Sequence, residues 1–258
     1  MGTRESYKTT GFVLRTLSYG ESDLIVTFYS NEFGKLKGIA KGAKRSKKRF
    51  ANVFEPFSLT SIIFNRKNRD TLAFIETCEI IDHYDAIRLD LEKTLIASYF
   101  IDLADHFSPE GKKNEQVFEL LQTFLTLLCA QKASDTLVRF FEMRMLKLAG
   151  FEPTLDRCIT CQSPIANGST YYFYAREGGI KCAKCSSGSE QYDQSVSTGT
   201  VRTLLLGKDM EIEKIKLVVF SEIPARESRN ILVGFISHIL NREVKSLKVM
   251  EQVRKLCR

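Results

Sequence analysis

The stretch Asp23-Leu-Ile-Val-Thr-Phe-Tyr-Ser30 alternates, with Leu24, Val26 and Phe28 on one face and Ile25, Thr27 and Tyr29 on the other. A period of two predicts a β-strand that turns one face to a core. Working outward, the same kind of pattern predicts strands over residues 8–17, 33–40, 53–64 and 71–81. Turn residues separate them at Tyr19-Gly-Glu-Ser22, Asn31-Glu-Phe-Gly34 and Asn65-Arg-Lys-Asn-Arg-Asp70. Five short strands within about 80 residues predict a small closed barrel, because closure removes the edges through which sheets aggregate. An OB-like barrel meets that demand at this size.

Beyond residue 82 the period lengthens to about 3.6. Leu95, Tyr99, Leu103 and His106 or Phe107 share one predicted helix, and Val117, Leu120, Leu121, Phe124, Leu128 and Cys129 a second. A third helix, capped by Ser134 or Asp135, carries Leu137, Phe141, Met145 and Leu148 and stops at Gly150. The fourth has Pro224 in its first turn and buries Ile231, Leu232, Phe235, Ile236, Ile239 and Leu240. The predicted fold is therefore α+β: a five-stranded OB-like barrel over 1–82, then a helical bundle in two parts, 83–157 and 195–258. Between the parts lies a cysteine-rich module, 158–194, with too few apolar residues for a core of its own.

That module holds Cys158-Ile-Thr-Cys161 and Cys182-Ala-Lys-Cys185, two C-x2-C pairs separated by twenty residues. Each pair offers two thiolates from one tight turn, which is the spacing of a structural zinc site. Four cysteines close the coordination shell, so the expected role of Zn is structural. Free thiols and disulfides are the alternatives, and disulfides fit poorly with the expected cytoplasmic location, since the sequence shows no signal peptide and no apolar run long enough to span a bilayer. Thr170–Tyr174 and residues 178–181 read as short strands that carry the second pair back to the first.

The formal charge is +7 over 258 residues, distributed as +5 in residues 1–82, −3 in 83–157 and +5 in 158–258. The densest basic run, Lys35, Lys37, Lys41, Lys44, Arg45, Lys47, Lys48 and Arg49, contains no acid, and none lies between Glu32 and Glu55. Arg66, Lys67 and Arg69 form a second cluster in a later turn. Charge of this density on a barrel predicts contact with a nucleic-acid backbone, as OB-folds make with single strands. A solvated loop is the bland alternative. On this reading Gly38 and Gly42 leave main-chain N–H groups open to phosphates, and Tyr19, Phe33, Phe50 and Phe54 are the nearby aromatics, each first read as core. The phosphate-loop, zinc-protease and nucleophile-elbow motifs are absent, and His83, His106 and His238 stand beside apolar residues. No enzymatic site is expected.

The order of Tyr19-Gly-Glu-Ser-Asp23, Gly38-Ile-Ala-Lys-Gly-Ala-Lys-Arg45 and Glu142-Met-Arg-Met-Leu-Lys-Leu-Ala-Gly-Phe-Glu-Pro153 running into Cys158 resembles the bacterial RecO family of DNA repair proteins. The resemblance covers nearly the whole chain, Lys245-Ser-Leu-Lys248 included. It implies a non-enzymatic, nucleoid-associated recombination mediator that binds single- and double-stranded DNA and anneals complementary strands. It also implies partners: RecR, the C-terminal tail of the single-strand-binding protein and, indirectly, the recombinase RecA. Arg226, Arg229, Arg242, Lys245, Lys248, Arg254 and Lys255 are expected contributors to a second basic surface. A zinc-stabilised OB-fold RNA-binding protein, or a scaffold for acidic protein tails, would carry the same charge and barrel.

Overall fold

Alternating strands with two apolar faces need cover on both, and the computed structural model supplies it. The structure describes residues 5–46, 48–66, 71–186 and 194–256. The chain divides into two compact units, Met1–Ala130 and Gln131–Arg258. In the first, β1 (Glu5–Tyr19), β2 (Asp23–Ser30), β3 (Gly34–Ala40), β4 (Leu59–Arg66) and β5 (Ala73–Asp82) close a barrel in the order β1-β2-β3-β5-β4. Strand β1 is long enough to serve two neighbours. Its first half pairs with β4, from Glu5 opposite Arg66 to Phe12 opposite Leu59, and its second half with β2, from Gly11 opposite Ser30 to Tyr19 opposite Asp23. A register shift between Val13 and Arg15 gives the strand the bend this requires. Closure comes from a parallel contact of β3 with β5, Gly38 opposite Ala73 and Ile39 opposite Phe74.

Val13, Val26, Phe28, Leu36, Ile62, Phe64, Ile75 and Cys78 fill the barrel. The other face of β2 is buried as well: Thr27 and Tyr29 are both enclosed, and the Tyr29 hydroxyl donates to the Asn114 carbonyl at 3.0 Å. The helices of this unit are α1 (Asp85–Arg88), α2 (Leu91–Phe107) and α3 (Glu115–Ala130). Asp90 caps α2 by accepting from the Lys93 N–H at 3.1 Å.

The strand expected over 53–64 begins only at Leu59. Residues 51–57 instead turn, with Asn52 and Phe57 at φ of 56° and 54°. The apolar run that imitates a strand, Phe50, Val53 and Phe54, plugs one part of the barrel core. Arg88 holds this plug in place. Its guanidinium donates to the Pro56 carbonyl and the Ser58 hydroxyl, pairs with Glu55 at 2.8 Å and lies 4.5 Å from the Phe57 ring centroid.

In the second unit α4 (Asp135–Leu148) starts at Ser134, whose hydroxyl accepts from the Leu137 N–H at 3.3 Å. It is followed by α5 (Thr198–Asp209), a 3-10 turn (Ile212–Leu217), α6 (Glu222–Leu240) and α7 (Lys245–Leu256). Periodicity reads α4 as one apolar stripe, but Leu137, Val138, Phe140, Phe141, Met143, Met145 and Leu146 are all buried, so the helix is enclosed nearly all round. Arg139 and Glu142 are enclosed with it, their side chains 2% and 0% exposed, and pair at 2.9 Å.

The cysteine-rich region does have a core, contrary to its composition. Strands β6 (Thr154–Cys158), β7 (Thr170–Tyr174), β8 (Gly179–Cys182) and β9 (Gln194–Ser197) form one sheet in the order β6-β8-β7-β9. Leu155, Phe173, Tyr174, Ile180 and Val196 are buried, and Phe173 meets Phe235 of α6 edge-on at 5.5 Å between centroids. The module borrows apolar cover from the flanking helices. Among the described residues no helix is long and apolar enough to cross a membrane.

Removing one partner of a buried pair strands the other charge. Arg139→Ala should therefore cost about 3–5 kcal/mol, and the double variant Arg139→Met/Glu142→Leu should recover most of that loss, both read by urea denaturation.

Candidate nucleic-acid interface and cysteine site

The basic run leaves β3 at Ala40 and folds back as a tight loop with a 3-10 turn at Ala43–Arg45. Its position follows from Asp23, whose carboxylate accepts from the Gly42 N–H at 2.8 Å and from Ser22 at 3.0 Å. The Gly42 N–H, more than any other group, holds Asp23 below its usual pKa. Gly42 has φ 69°, a conformation that places its N–H on that carboxylate at no side-chain cost. Two further bonds tie the loop to the β1–β2 turn: the Lys44 N–H donates to the Ser22 carbonyl at 2.9 Å and its Nζ to the Gly20 carbonyl at 2.9 Å. Arg45 pairs loosely with Glu21 at 3.5 Å, both largely exposed.

The result is a fixed backbone with outward bases. Lys41, Lys44, Arg45, Lys48 and Arg49 are exposed, and the Arg49 guanidinium lies 4.5 Å from the Phe50 ring centroid while donating to the Lys41 carbonyl. Lys47, Lys67 and Arg69 lie outside the described residues. The expected phosphate approach to Gly38 and Gly42 is not built. Gly38 faces inward, where Ile75 occupies the space a Cβ would need, and the Gly42 N–H is taken by Asp23. Of the four aromatics, Phe50 and Phe54 are core and Phe33 packs against the core with Tyr7 and Phe64. Tyr19, 54% exposed beside the loop's anchor turn, presents its ring to solvent.

Lys35 and Lys37 are engaged elsewhere. Lys35 pairs with Asp105 of α2 at 3.0 Å, and Lys37 with Glu110 at 2.8 Å. With Arg66, whose guanidinium lies 5.7 Å from the Phe33 ring centroid, they line a cavity of about 530 Å³ closed by Leu36, Thr71, Leu72, Glu110 and Gly111. Sequence reasoning missed Asp105 and Glu110, since acids some 70 residues away carry no local signal. It also missed Asp23 as an anchor, although Asp23 stands in the quoted Tyr19–Asp23 motif. In the C-terminal unit several expected basic contributors are paired with acids: Arg229 with Glu251 at 2.6 Å, Lys248 with Glu243 at 2.9 Å and Arg254 with Asp135 at 2.8 Å.

The four cysteines of the two pairs come together, all ligand atoms within 4.8 Å of one another. The two turns repeat one geometry. The Gln162 N–H donates to the Cys158 carbonyl at 2.9 Å, and the Ser186 N–H to the Cys182 carbonyl at 3.0 Å. Because Cys158 ends β6 and Cys182 ends β8, pairing of the two strands brings the turns face to face. Sγ of Cys161 is 3.8 Å from Sγ of Cys182, far beyond a disulfide bond and close to the separation of about 3.8 Å that 2.3 Å metal–sulfur bonds give in a tetrahedron. Ser163, through its hydroxyl and its N–H, draws the Cys161 thiol down to about 6, whereas the neighbouring cysteines push Cys185 up to about 12. Four such groups in one place could hold a metal ion, which would let all four ionise together.

Cutting the anchor should loosen the loop without unfolding the barrel. Asp23→Ala should speed tryptic cleavage within residues 41–49 at pH 7 several-fold, as read by mass spectrometry of the early fragments. Since the folded pKa of Asp23 is lowered, the anchor is fully present above the unfolded value near 3.8 and weakens as pH falls through the lower, folded one.

Comparison with known proteins bears on the whole chain. Residues 3–84 match the family model for the recombination protein O N terminal domain, and residues 88–248 that for its C terminal domain. A protein of Syntrophus aciditrophicus named DNA repair protein RecO is 49% identical over 257 residues, covering 99% of both chains. Proteins of the same name from Geobacter metallireducens and Anaeromyxobacter sp. strain K are 33% and 32% identical, each covering 96% of this chain and 98% and 97% of their own. On these matches the chain belongs to the RecO family.

Proposed function

We propose that this protein is a recombination mediator in DNA repair, which binds single- and double-stranded DNA through the N-terminal barrel and works without chemical catalysis. The observation that carries the reading is the 41–49 loop, with exposed Lys41, Lys44, Arg45, Lys48 and Arg49 on a backbone clamped to the β1–β2 turn. A clamped loop presents charge to phosphates with little ordering cost, and bases that read only the backbone bind without regard to sequence. Tyr19 at the edge of that turn offers one stacking surface. Annealing needs repulsion between two strands to be screened while their base edges stay free, and a patch of lysine and arginine meets both demands. The relatives' name supports DNA repair as the process. RecR, the tail of the single-strand-binding protein and RecA are the partners this reading assigns, with RecA loading as its outcome.

Zinc is the metal we assign to Cys158, Cys161, Cys182 and Cys185. An all-thiolate tetrahedral set with no open position favours it and makes its role structural, pinning β6 to β8.

Two measurements test these assignments. Affinity for a single-stranded oligonucleotide should fall with salt at a log–log slope near −3, as about four phosphate contacts would give. Lys44→Ala/Arg45→Ala/Lys47→Ala/Lys48→Ala should flatten that slope and slow annealing of complementary strands. Unchanged affinity would move the site off the loop, and binding confined to structured RNA would replace DNA as the ligand. Freshly purified protein should carry about one equivalent of zinc, lost in Cys161→Ser/Cys182→Ser; well under one equivalent in the unaltered protein would remove the metal.

A further inference from the structure

The cavity beside β3 is unusual for the side chains that meet there. Three bases from two strands, Lys35, Lys37 and Arg66, line it, and Glu110 stands among them as the one acid among the described lining residues. Glu110 arrives on the connection between α2 and α3. That connection lies along β3: residues 35 and 110 form a parallel bridge, and the Gly111 N–H donates to the Lys35 carbonyl at 3.1 Å. Gly34, at φ 63°, lets the Lys112 carbonyl approach where a Cβ would collide with it. The segment is thus held by backbone contacts, which leave the Glu110 side chain to reach Lys37 at 2.8 Å.

The two lysines are held differently. Lys35 is 14% exposed and its partner Asp105 12%, so that pair sits at the back of the cavity. Lys37 and Glu110, 36% and 56% exposed, sit at the mouth. An ammonium has three donors, and Glu110 uses one. A second oxyanion can therefore reach Lys37, but it does so against the Glu110 charge.

We infer that this cavity seats one nucleotide of a bound DNA strand, its phosphate on Lys37 and Arg66 and its base against Leu72, and that Glu110 weakens this seat by holding Lys37 with a carboxylate in the phosphate's place. The inference rests on the DNA-binding reading and deepens it. A volume of about 530 Å³ lies within the range of small-ligand sites and has room for a nucleotide. Lys37 is on the strand that continues into the 41–49 loop, so a strand of DNA tracking the loop would pass the cavity mouth. The purpose served is moderation: an annealing protein must release its strands, and an internal carboxylate caps how tightly one phosphate is gripped.

The test uses the full-length protein and a short fluorescent dT oligonucleotide at low salt. Glu110→Gln keeps the backbone contacts and the shape, and should tighten binding about 1.5- to fivefold, the worth of one screened charge pair, with a salt slope steeper by about 0.7. Glu119→Gln, an equal change of net charge at an exposed site on α3, should leave both unchanged. Lys37→Gln should weaken binding, and adding Glu110→Gln to it should recover less than Glu110→Gln gains in the parent, because Glu110 acts in part through Lys37. Thermal melts of each variant check that the fold is kept.

Equal affinity and slope for Glu110→Gln and the parent, or an equal gain from Glu119→Gln, would overturn the inference. So would a gain seen for a poly-Glu peptide and not for DNA. If these variants are silent while the four-residue alanine variant of the loop loses DNA, the cavity fails and the DNA-binding reading stands. If the parent protein binds no DNA, both fall.

Discussion

Closure of the barrel rests on a short parallel contact, Gly38 and Ile39 of β3 against Ala73 and Phe74 of β5. Every other seam is antiparallel and longer. A parallel seam of two residue pairs leaves the earlier part of β3, residues 34–37, with an unpaired edge, and such an edge must be covered. The end of α2 and the α2–α3 connection cover it, α2 through the pair Lys35–Asp105 and the connection through the bridge from residue 35 to residue 110 and the pair Lys37–Glu110. Gly38 is demanded by the same closure, since Ile75 fills the space where its side chain would be. The basic charge of β3 is thus divided. Lys35 and Lys37 serve the seam and its cavity, while the bases from Lys41 onward are carried past the end of the strand into solvent.

The loop that receives them is tied down by the Asp23 carboxylate together with the Gly20 and Ser22 carbonyls. Asp23 ends one turn and holds the next through Gly42, so the β1–β2 turn and the start of the basic loop are joined at one corner of the barrel. Tethering would matter for the proposed phosphate-binding surface, because each contact is weak and the ordering cost would consume much of its gain. In the second unit the cysteine module solves a comparable problem differently. Its sheet has one apolar side packed on α6 and, at one end, four clustered thiols that could hold a metal ion.

Much of this was readable in the chain. The alternation in Asp23–Ser30 and its neighbours is a property of adjacent residues, and it identified the barrel because pleating forces side chains to opposite faces. The helices around Tyr99, Phe124, Phe141 and Phe235 were equally visible through their period. So was the cysteine quartet, since two thiolates from one turn require the C-x2-C spacing. Where local pattern misled, tertiary contacts had overridden it. Val53 and Phe54 look like strand residues but plug the barrel, held by Arg88 from beyond β5. The cysteine module looks coreless because its cover comes from α6, more than forty residues away from Phe173 in the chain.

The candidate interface divides along the same line. Residue types and short spacings told where charge and thiols are concentrated: the 35–49 run, the 66–69 cluster and the two cysteine pairs. They could not tell which charges are free to meet a partner. That depends on Asp23, Asp105 and Glu110, acids placed by strand closure and helix docking at distances along the chain that leave no periodic trace. Electrostatic partnership is set by separation in space, and only the folded chain defines it.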